Sequence, residues 1–454
     1  MKLIYGVNDK PKFGQLIIFA LQQLLAIMTA TLVVPVVINA SCDTTMSSAA
    51  ALLGAGLGTL VYILFTKKKS PVFLGSSFAF IGSMITAFAG GISMALGYLG
   101  LIIGAVFAGL VYVIIAIIVK FAGVKWINKI MPAVVIGPTV AIIGLSLAGN
   151  AVGDILKGSV PDSTASPIAT VFCGIATLII TVLCATYGKK TLKLIPFVIA
   201  ILGGYAIAGI FTAIGYAANI DALKILNVAP FTALVADGIT INTFLSVPDF
   251  TFLTAFKGVG ELNSAYISTI AVAYIPVAFV VFAEHIADHK NISTIIEADL
   301  LEEPGLHRTL LGDGIGSMVG AFFGGCPNTT YGESVGCVAI TRNASISTIG
   351  LAAIFAILIS FISPFIAFVN SIPSCVMGGV CITLYGFIAV SGLKMIQKVD
   401  LEDNANLFTT SVILITGIGG MALAIGKVTL TTTACALILG IITNLVLSKG
   451  RKEA

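Results

Sequence analysis

The chain has 454 residues, of which 58% are hydrophobic and only 10% are charged, and its mean hydropathy is +1.09. A soluble globular domain carries roughly 25% charged residues, so this composition excludes a water-soluble fold and implies a chain that crosses a bilayer many times. The net charge of +4, from 24 Lys and Arg against 20 Asp and Glu, is too small to point to nucleic-acid binding.

In chain order, Met1 to Pro11 is polar and carries no cleavage-site pattern, so the first apolar run reads as a span that stays. A membrane helix needs about 20 mostly apolar residues. Seven such segments can be marked at 14–37, 48–66, 72–91, 94–120, 130–149, 167–187 and 194–216. In the second of them, Gly54-Ala55-Gly56-Leu57-Gly58 fits close helix packing in lipid, since no βαβ pattern surrounds it. A long polar stretch, 217–265, follows with Pro230, Asp237, Pro248 and Asp249. Seven more segments come after it, at 266–287, 307–322, 326–341, 347–369, 372–393, 406–423 and 430–448.

Charge placement supports that count. Lys and Arg collect in cytoplasmic loops. With the N-terminus inside, the inner loops hold Lys2, Lys10 and Lys12, then Lys67 to Lys69, then Lys120, Lys125 and Lys129, then Lys189, Lys190 and Lys193. In the second half they hold Lys290 and Arg308, Arg342, Lys394 and Lys398, and the tail holds Lys449, Arg451 and Lys452. Of the 24 cationic residues, only Lys157, Lys224, Lys257 and Lys427 fall outside. An odd number of spans on each side of the extracellular stretch inverts the second half relative to the first. The expectation is therefore an all-α polytopic membrane protein of fourteen segments in two inverted repeats of seven, both termini in the cytoplasm. Inverted repeats are a common build for secondary transporters.

Two segments break in matching places. The third opens Lys69-Ser70-Pro71-Val72-Phe73-Leu74-Gly75-Ser76-Ser77-Phe78. The tenth opens Gly324-Gly325-Cys326-Pro327-Asn328-Thr329-Thr330-Tyr331-Gly332-Glu333. Pro and Gly break a helix there, and Ser, Thr and Asn compete for its backbone, so each reads as an extended opening followed by a half-helix. Non-helical backbone at membrane depth must line a cavity or be buried in protein. Matched interruptions in two halves point to a binding site, with free N–H groups and the positive helix end facing the substrate.

Few acids sit inside the spans. Glu284 lies near the end of the eighth segment, Asp313 in the ninth and Glu333 just after the break in the tenth. An intramembrane carboxyl group is costly and marks a functional site, and these groups are candidates for proton coupling. Asp288, four residues after Glu284, shares its face, while His285 points about 100° away. His285, His289 and His307 read as interfacial or loop residues, and their spacing makes no zinc site. The eight cysteines form no CxxC pair and read as small buried hydrophobes. With no Walker motif, no nucleophile–base set and no metal cluster, neither an ATP-driven pump nor an enzyme is supported.

The second half holds Ala283-Glu284-His285-Ile286, Pro304-Gly305-Leu306-His307-Arg308 and, most specific, Pro327-Asn328-Thr329-Thr330-Tyr331-Gly332-Glu333 running on to Ala339-Ile340-Thr341-Arg342. In these residues it resembles the nucleobase–ascorbate transporter family, most closely its bacterial uracil permease branch. Gly75-Ser76-Ser77-Phe78-Ala79-Phe80 adds the first half. The resemblance implies a core domain from residues 1–129 and 266–370 and a gate domain from 130–216 and 371–448. It places 217–265 outside and 449–454 as a cytoplasmic tail. Short strands in the third and tenth segments would pair across the core.

By the same resemblance, Glu284 and Glu333 would hold a nucleobase through its ring N–H groups. Backbone at Phe78 and Gly332 would serve its carbonyl oxygens, with Phe78, Tyr331 and Ser77 close by. Glu284, Asp288, Asp313 and Glu333 form the proton-coupling set. No cofactor is implied beyond the coupling proton. Uracil is the expected substrate, imported across the cytoplasmic membrane, with a homodimer through the gate domains. The chain departs from the pattern at Asp288, where some uracil permeases have His, and at Gln22-Gln23, where they have a Gln-His pair. An acid at 288 together with Asp313 is similar to xanthine and purine members, so a purine symporter stays open. So does an anion transporter of a related inverted-repeat fold, which requires a cation near the breaks; Lys69 and Arg342 only flank them.

Overall fold

A computed structural model describes residues 3–89, 92–123, 132–158, 165–189, 192, 195–236, 238–425 and 428–450. Of the residues singled out above, Lys2, Lys125, Lys129, Lys190, Lys193, Asp237, Lys427, Arg451 and Lys452 lie outside the described residues, as do the edges of expected segments at 90–91, 130–131 and 194 and the side chain of Lys449.

The first half runs through α1 (Phe13–Cys42), α2 (Ser48–Phe65) and a strand β1 (Leu74–Ser76), then through a 3-10 turn at Phe78–Phe80 into the short α3 (Ile81–Ala87). It continues with α4 (Met94–Ala122), α5 (Ala133–Ser146), α6 (Ala148–Ile155), α7 (Pro167–Tyr187) and α8 (Pro196–Ala217). The second half holds α9 (Ser264–Ile296), α10 (Leu306–Gly324), β2 (Asn328–Thr330), α11 (Gly332–Thr341), α12 (Ile346–Ile359), α13 (Ser363–Ser371) and α14 (Ser374–Ile396). It ends with α15 (Asn404–Ile418), a hairpin of β3 (Leu423–Ile425) and β4 (Val428–Leu430), and α16 (Thr432–Gly450). Local chemistry sets several starts. Ser47, Ser93, Asn263 and Asp403 accept from first-turn N–H groups of α2, α4, α9 and α15, and Pro opens α7 and α8, where its missing N–H costs nothing.

Among the described residues, eight helices are long and apolar enough to cross a membrane, counting α5 with α6 as one. Others are shorter. Phe78–Ala87, α12 and α15 are apolar but of 10 to 17 residues. The expected segment 347–369 is two helices: α12 stops at Ile359, and α13 starts at Ser363 with Pro364 in its first turn, where the missing N–H costs nothing. α9 runs on to Ile296, past the boundary expected at 287, so Glu284 stands inside a 33-residue helix and not near its end.

α2 wedges between α10 and α12. A Cβ on Gly54 would lie 2.6 Å from the Gly320 carbonyl oxygen, one on Gly58 2.7 Å from that of Gly316, and one on Gly56 2.6 Å from that of Ala353. Glycine alone lets these backbones touch, as small residues do where lipid supplies no hydrophobic drive. α10 and α9 also pack on α4, while α5 packs on α14 and α15, and α7 on α8 and α14. The connecting stretch, expected as a polar loop, carries short helices at Ala229–Ala233, Ile241–Phe244 and Thr251–Ala255. Its Phe252 stacks on Phe322 of α10 at 4.7 Å between ring centroids, which anchors it to the bundle.

Candidate functional site

The two breaks meet. β1 and β2 pair antiparallel, Leu74 opposite Thr330, Gly75 opposite Thr329 and Ser76 opposite Asn328. Strands of three residues leave most main-chain groups without a ladder partner, and neighbouring elements supply the rest. Thr59 Oγ1 accepts from Leu74 N (2.9 Å), Ser334 Oγ from Phe73 N (2.9 Å), Pro327 O from Ser77 N (2.9 Å) and Phe73 O from Tyr331 N (3.3 Å). Asn328 Nδ2 donates to Gly54 O at 3.1 Å, tying β2 to α2. Gly75 faces the Tyr331 ring with no room for a Cβ, and Tyr331 OH donates to Ser76 O at 2.7 Å.

Each strand leads into a half-helix. The N-cap residues Ser77 and Tyr331 have extended backbone and no side-chain cap, so the first-turn N–H groups and the positive end of each dipole are left to the space they face. That space is a cavity of about 350 Å³, at the lower end of the roughly 300–1,000 Å³ usual for small-molecule sites. One wall is polar: Phe78 and Ala79, Thr329, Tyr331, Gly332 and Glu333, and from α9 Glu284, Ala287, Asp288 and Asn291. The opposite wall is mostly apolar: Val140 and Ile143 of α5 with Leu384, Phe387, Ile388, Ser391 and Met395 of α14. The Phe78 ring meets Tyr385 of α14 edge-on at 5.9 Å.

Of the residues singled out from the sequence, Glu284, Asp288, Glu333, Phe78, Tyr331 and Gly332 line this one cavity. Glu284 and Glu333 are half-buried. Asp288 is buried and accepts from Thr330 Oγ1 at 2.8 Å, and its Oδ1 lies 3.8 Å from where a Cβ of Gly332 would stand. Two expected residues fall elsewhere. Ser77 is buried as the N-cap of the first half-helix and does not line the cavity. Asp313 is also outside it, fully buried on α10 and bonded to His285.

His285 and His289 correct the expectation of interfacial residues. Both are fully buried, because α9 continues past them and turns them toward α2 and α10. Asn291 in the polar wall was not among the expected site residues, and Gln23, noted only as a departure from the family pattern, donates from Nε2 to Ser334 Oγ at 2.5 Å. The apolar wall was passed over entirely, since Val, Ile and Leu in apolar helices carry no signature of a site.

Interrupted helices that meet around a polar cavity inside a bundle of apolar helices define a membrane transporter and not an enzyme. The comparisons with known proteins agree. A family model described as the Permease family matches residues 14–426. The chain is 37% identical to the uracil permease of Bacillus subtilis, covering 100% of this chain and 97% of the relative. It is 38% identical to that of Bacillus caldolyticus (100% and 96%) and 38% identical to that of Escherichia coli (97% and 93%). The chain belongs to this family, the nucleobase–ascorbate transporters, on the branch of the bacterial uracil permeases. Among solved structures, the transmembrane domain of a cyanobacterium bicarbonate transporter, BicA, superposes with a TM-score of 0.62 at 14% identity, covering 97% of this chain and all of that one. The murine anion transporter Slc26a9 in its inward-facing state gives 0.62 at 10% identity, covering 98% and 69%. At these identities the likeness is one of fold.

Proposed function

We propose that the protein imports uracil across the cytoplasmic membrane in symport with protons. The observation that carries this reading is the single cavity in which Glu284, Asp288 and Glu333 stand beside two uncapped half-helix N-termini. Uracil offers two N–H donors and two carbonyl acceptors. Carboxyl groups and free backbone N–H groups are the complementary set, with Glu284 and Glu333 toward the ring N–H groups and the backbone at Phe78 and Gly332 toward the carbonyls. Phe78 and Tyr331, both in the cavity lining, would pack beside the flat ring. The lining holds no Lys or Arg among the described residues, which disfavours an anionic substrate despite the shared fold.

In this reading the elements make up fourteen segments in two inverted repeats. The core is 1–129 with 266–370 and carries the polar wall; the gate is 130–216 with 371–448 and carries the apolar wall. A boundary that is polar on one side and apolar on the other can slide without breaking hydrogen bonds across it. Glu284, Asp288 and Glu333 take up the coupled proton on the outside, the core moves against the gate, and proton loss inside releases the base. The cavity extends to Met395, beside Lys394 at the expected cytoplasmic end, which fits an inward-open arrangement. The test is uptake of labelled uracil into proteoliposomes under an inwardly directed proton gradient, with xanthine, hypoxanthine and uric acid as competitors. Accumulation that the gradient drives and unlabelled uracil alone suppresses is expected. Stronger suppression by xanthine would assign the site to a purine, with Asp288 as the extra acceptor.

A further inference from the structure

Behind the polar wall, α9 turns two histidines away from the cavity and toward α2, α4 and α10. We propose that His285 and Asp313 form a net-neutral pair that keeps one shared proton throughout transport and fixes the rotation of α9. Asp313 is then a positioning residue and not a carrier of the coupled proton.

The bonding pattern sets the proton count. His285 and Asp313 are both 0% exposed, and Nδ1 lies 2.7 Å from Asp313 Oδ2. The other ring nitrogen, Nε2, lies 2.9 Å from Thr309 Oγ1, which is itself 3.1 Å from Leu306 O. A carbonyl only accepts, and a hydroxyl has one hydrogen to give. If Thr309 gives it to Leu306, Nε2 carries a hydrogen and donates it to Thr309. A neutral imidazole then has Nδ1 bare, and the hydrogen between Nδ1 and Oδ2 belongs to the carboxyl group. Moving that hydrogen onto Nδ1 makes an imidazolium–carboxylate pair of the same zero charge. The remaining arrangement turns the hydroxyl toward Nε2 and leaves a lone carboxylate. Its Oδ1 is buried without a hydrogen-bond partner among the described residues, which is the costly way to bury an acid.

The surroundings close the pair off. His289 stacks on His285 at 4.0 Å between ring centroids, and Tyr112 of α4 meets His285 edge-on at 6.3 Å. Glu284 and Asp288, the acids nearest along α9, face the cavity instead. His289 Nδ1 donates to His285 O at 2.7 Å, so its Nε2 accepts from Tyr62 OH at 2.6 Å, and Tyr62 in turn accepts from Ser70 at 2.7 Å. The bonds between the two histidines thus pass through a main-chain carbonyl, which relays no proton. What they do is cross-link α9 to α10 and, through Tyr62 and Ser70, to α2 and the start of the first broken segment.

The claim about the cycle rests on the proton-coupled reading above; the proton count of the pair does not. The experiment uses the full-length protein with Asp313→Asn and Asp313→Ala. The amide copies a protonated carboxyl group, donating to Nδ1. Asp313→Asn is therefore expected to accumulate uracil with the unsubstituted protein's pH profile and a KM within about threefold, whereas Asp313→Ala, which strands Nδ1, raises KM about tenfold or more. An Asp313→Asn protein that fails to fold, or that exchanges labelled for unlabelled uracil yet no longer accumulates it under a gradient, overturns the proposal. Should the unsubstituted protein move no uracil at all, the symport reading fails, and melting decides the pair. A gap between it and Asp313→Asn that is the same at about pH 5.5 and about pH 8 supports a pair that keeps its proton, and a gap that changes with pH overturns it.

Discussion

Gly54→Ala should loosen the site from a distance. The new Cβ would stand 2.6 Å from Gly320 O, against 3.4 Å for ordinary contact, so α2 and α10 must part by about 0.8 Å at that level or the backbone must bend. Neither neighbour can yield by a side-chain rotation, because the obstructing atom is main chain. Overpacking of this kind costs about 1–3 kcal/mol, which corresponds to a Tm lower by about 2–6 °C for a chain of this size. The functional effect should exceed that. Gly54 O accepts from Asn328 Nδ2 of β2, and α10 ends four residues before β2 begins. A shift there moves Thr330, Gly332 and Glu333 together and should raise the KM for uptake. The control is Gly386→Ala in α14, where a Cβ meets nothing within 4 Å and alanine is the better helix residue by about 1 kcal/mol. Thermal melting and initial uptake rates in proteoliposomes read both. A Gly54→Ala protein that melts and transports like the unsubstituted one would refute the claim that backbone contact between α2 and α10 sets the strand pair.

Thr330→Val keeps the shape of a fully buried side chain and removes the hydrogen it gives to Asp288. A bond to a charged group is worth about 1.5–3 kcal/mol, so uptake at limiting uracil should fall by about tenfold or more while Vmax at acid pH, where Asp288 needs the donor less, falls less. At the surface, Lys69 hydrogen-bonds Glu303 and holds its carboxyl group below the usual value. A depressed folded-state value contributes stability above the unfolded carboxyl pKa and loses it as pH falls through the folded one. Lys69→Met should therefore lower Tm slightly at neutral pH and not in acid, with the difference shrinking in high salt because both side chains are solvent-exposed.

Much of this arrangement was legible in the sequence because its cause is covalent. Pro71 and Pro327 end helices wherever they stand, and Glu284, Asp288 and Glu333 are conspicuous in apolar surroundings. The glycines of α2 announced close packing but not against which helix. What stayed hidden depends on tertiary contact. Lys290 and the polar run after it read as a loop, yet α9 continues to Ile296 because His285, Asp288 and His289 find buried partners on α2, α10 and β2. Asp313 in its apolar segment could equally serve as a cap or an interhelical hydrogen-bond partner, and only the packing of α10 shows that it faces His285 and not the cavity. The apolar wall of α5 and α14 could not be told from any lipid-facing stripe, because its apolar residues are Val, Ile, Leu, Phe and Met like those of the surrounding apolar helices.

Equilibrium binding of labelled uracil to the purified protein tests most directly whether the two breaks build the substrate site. One saturable site is expected, weakened at least about tenfold by Glu284→Gln and likewise by Glu333→Gln, with both variants melting near the unsubstituted protein. Undiminished affinity in either variant would contradict the assignment of ring N–H groups to these carboxyl groups.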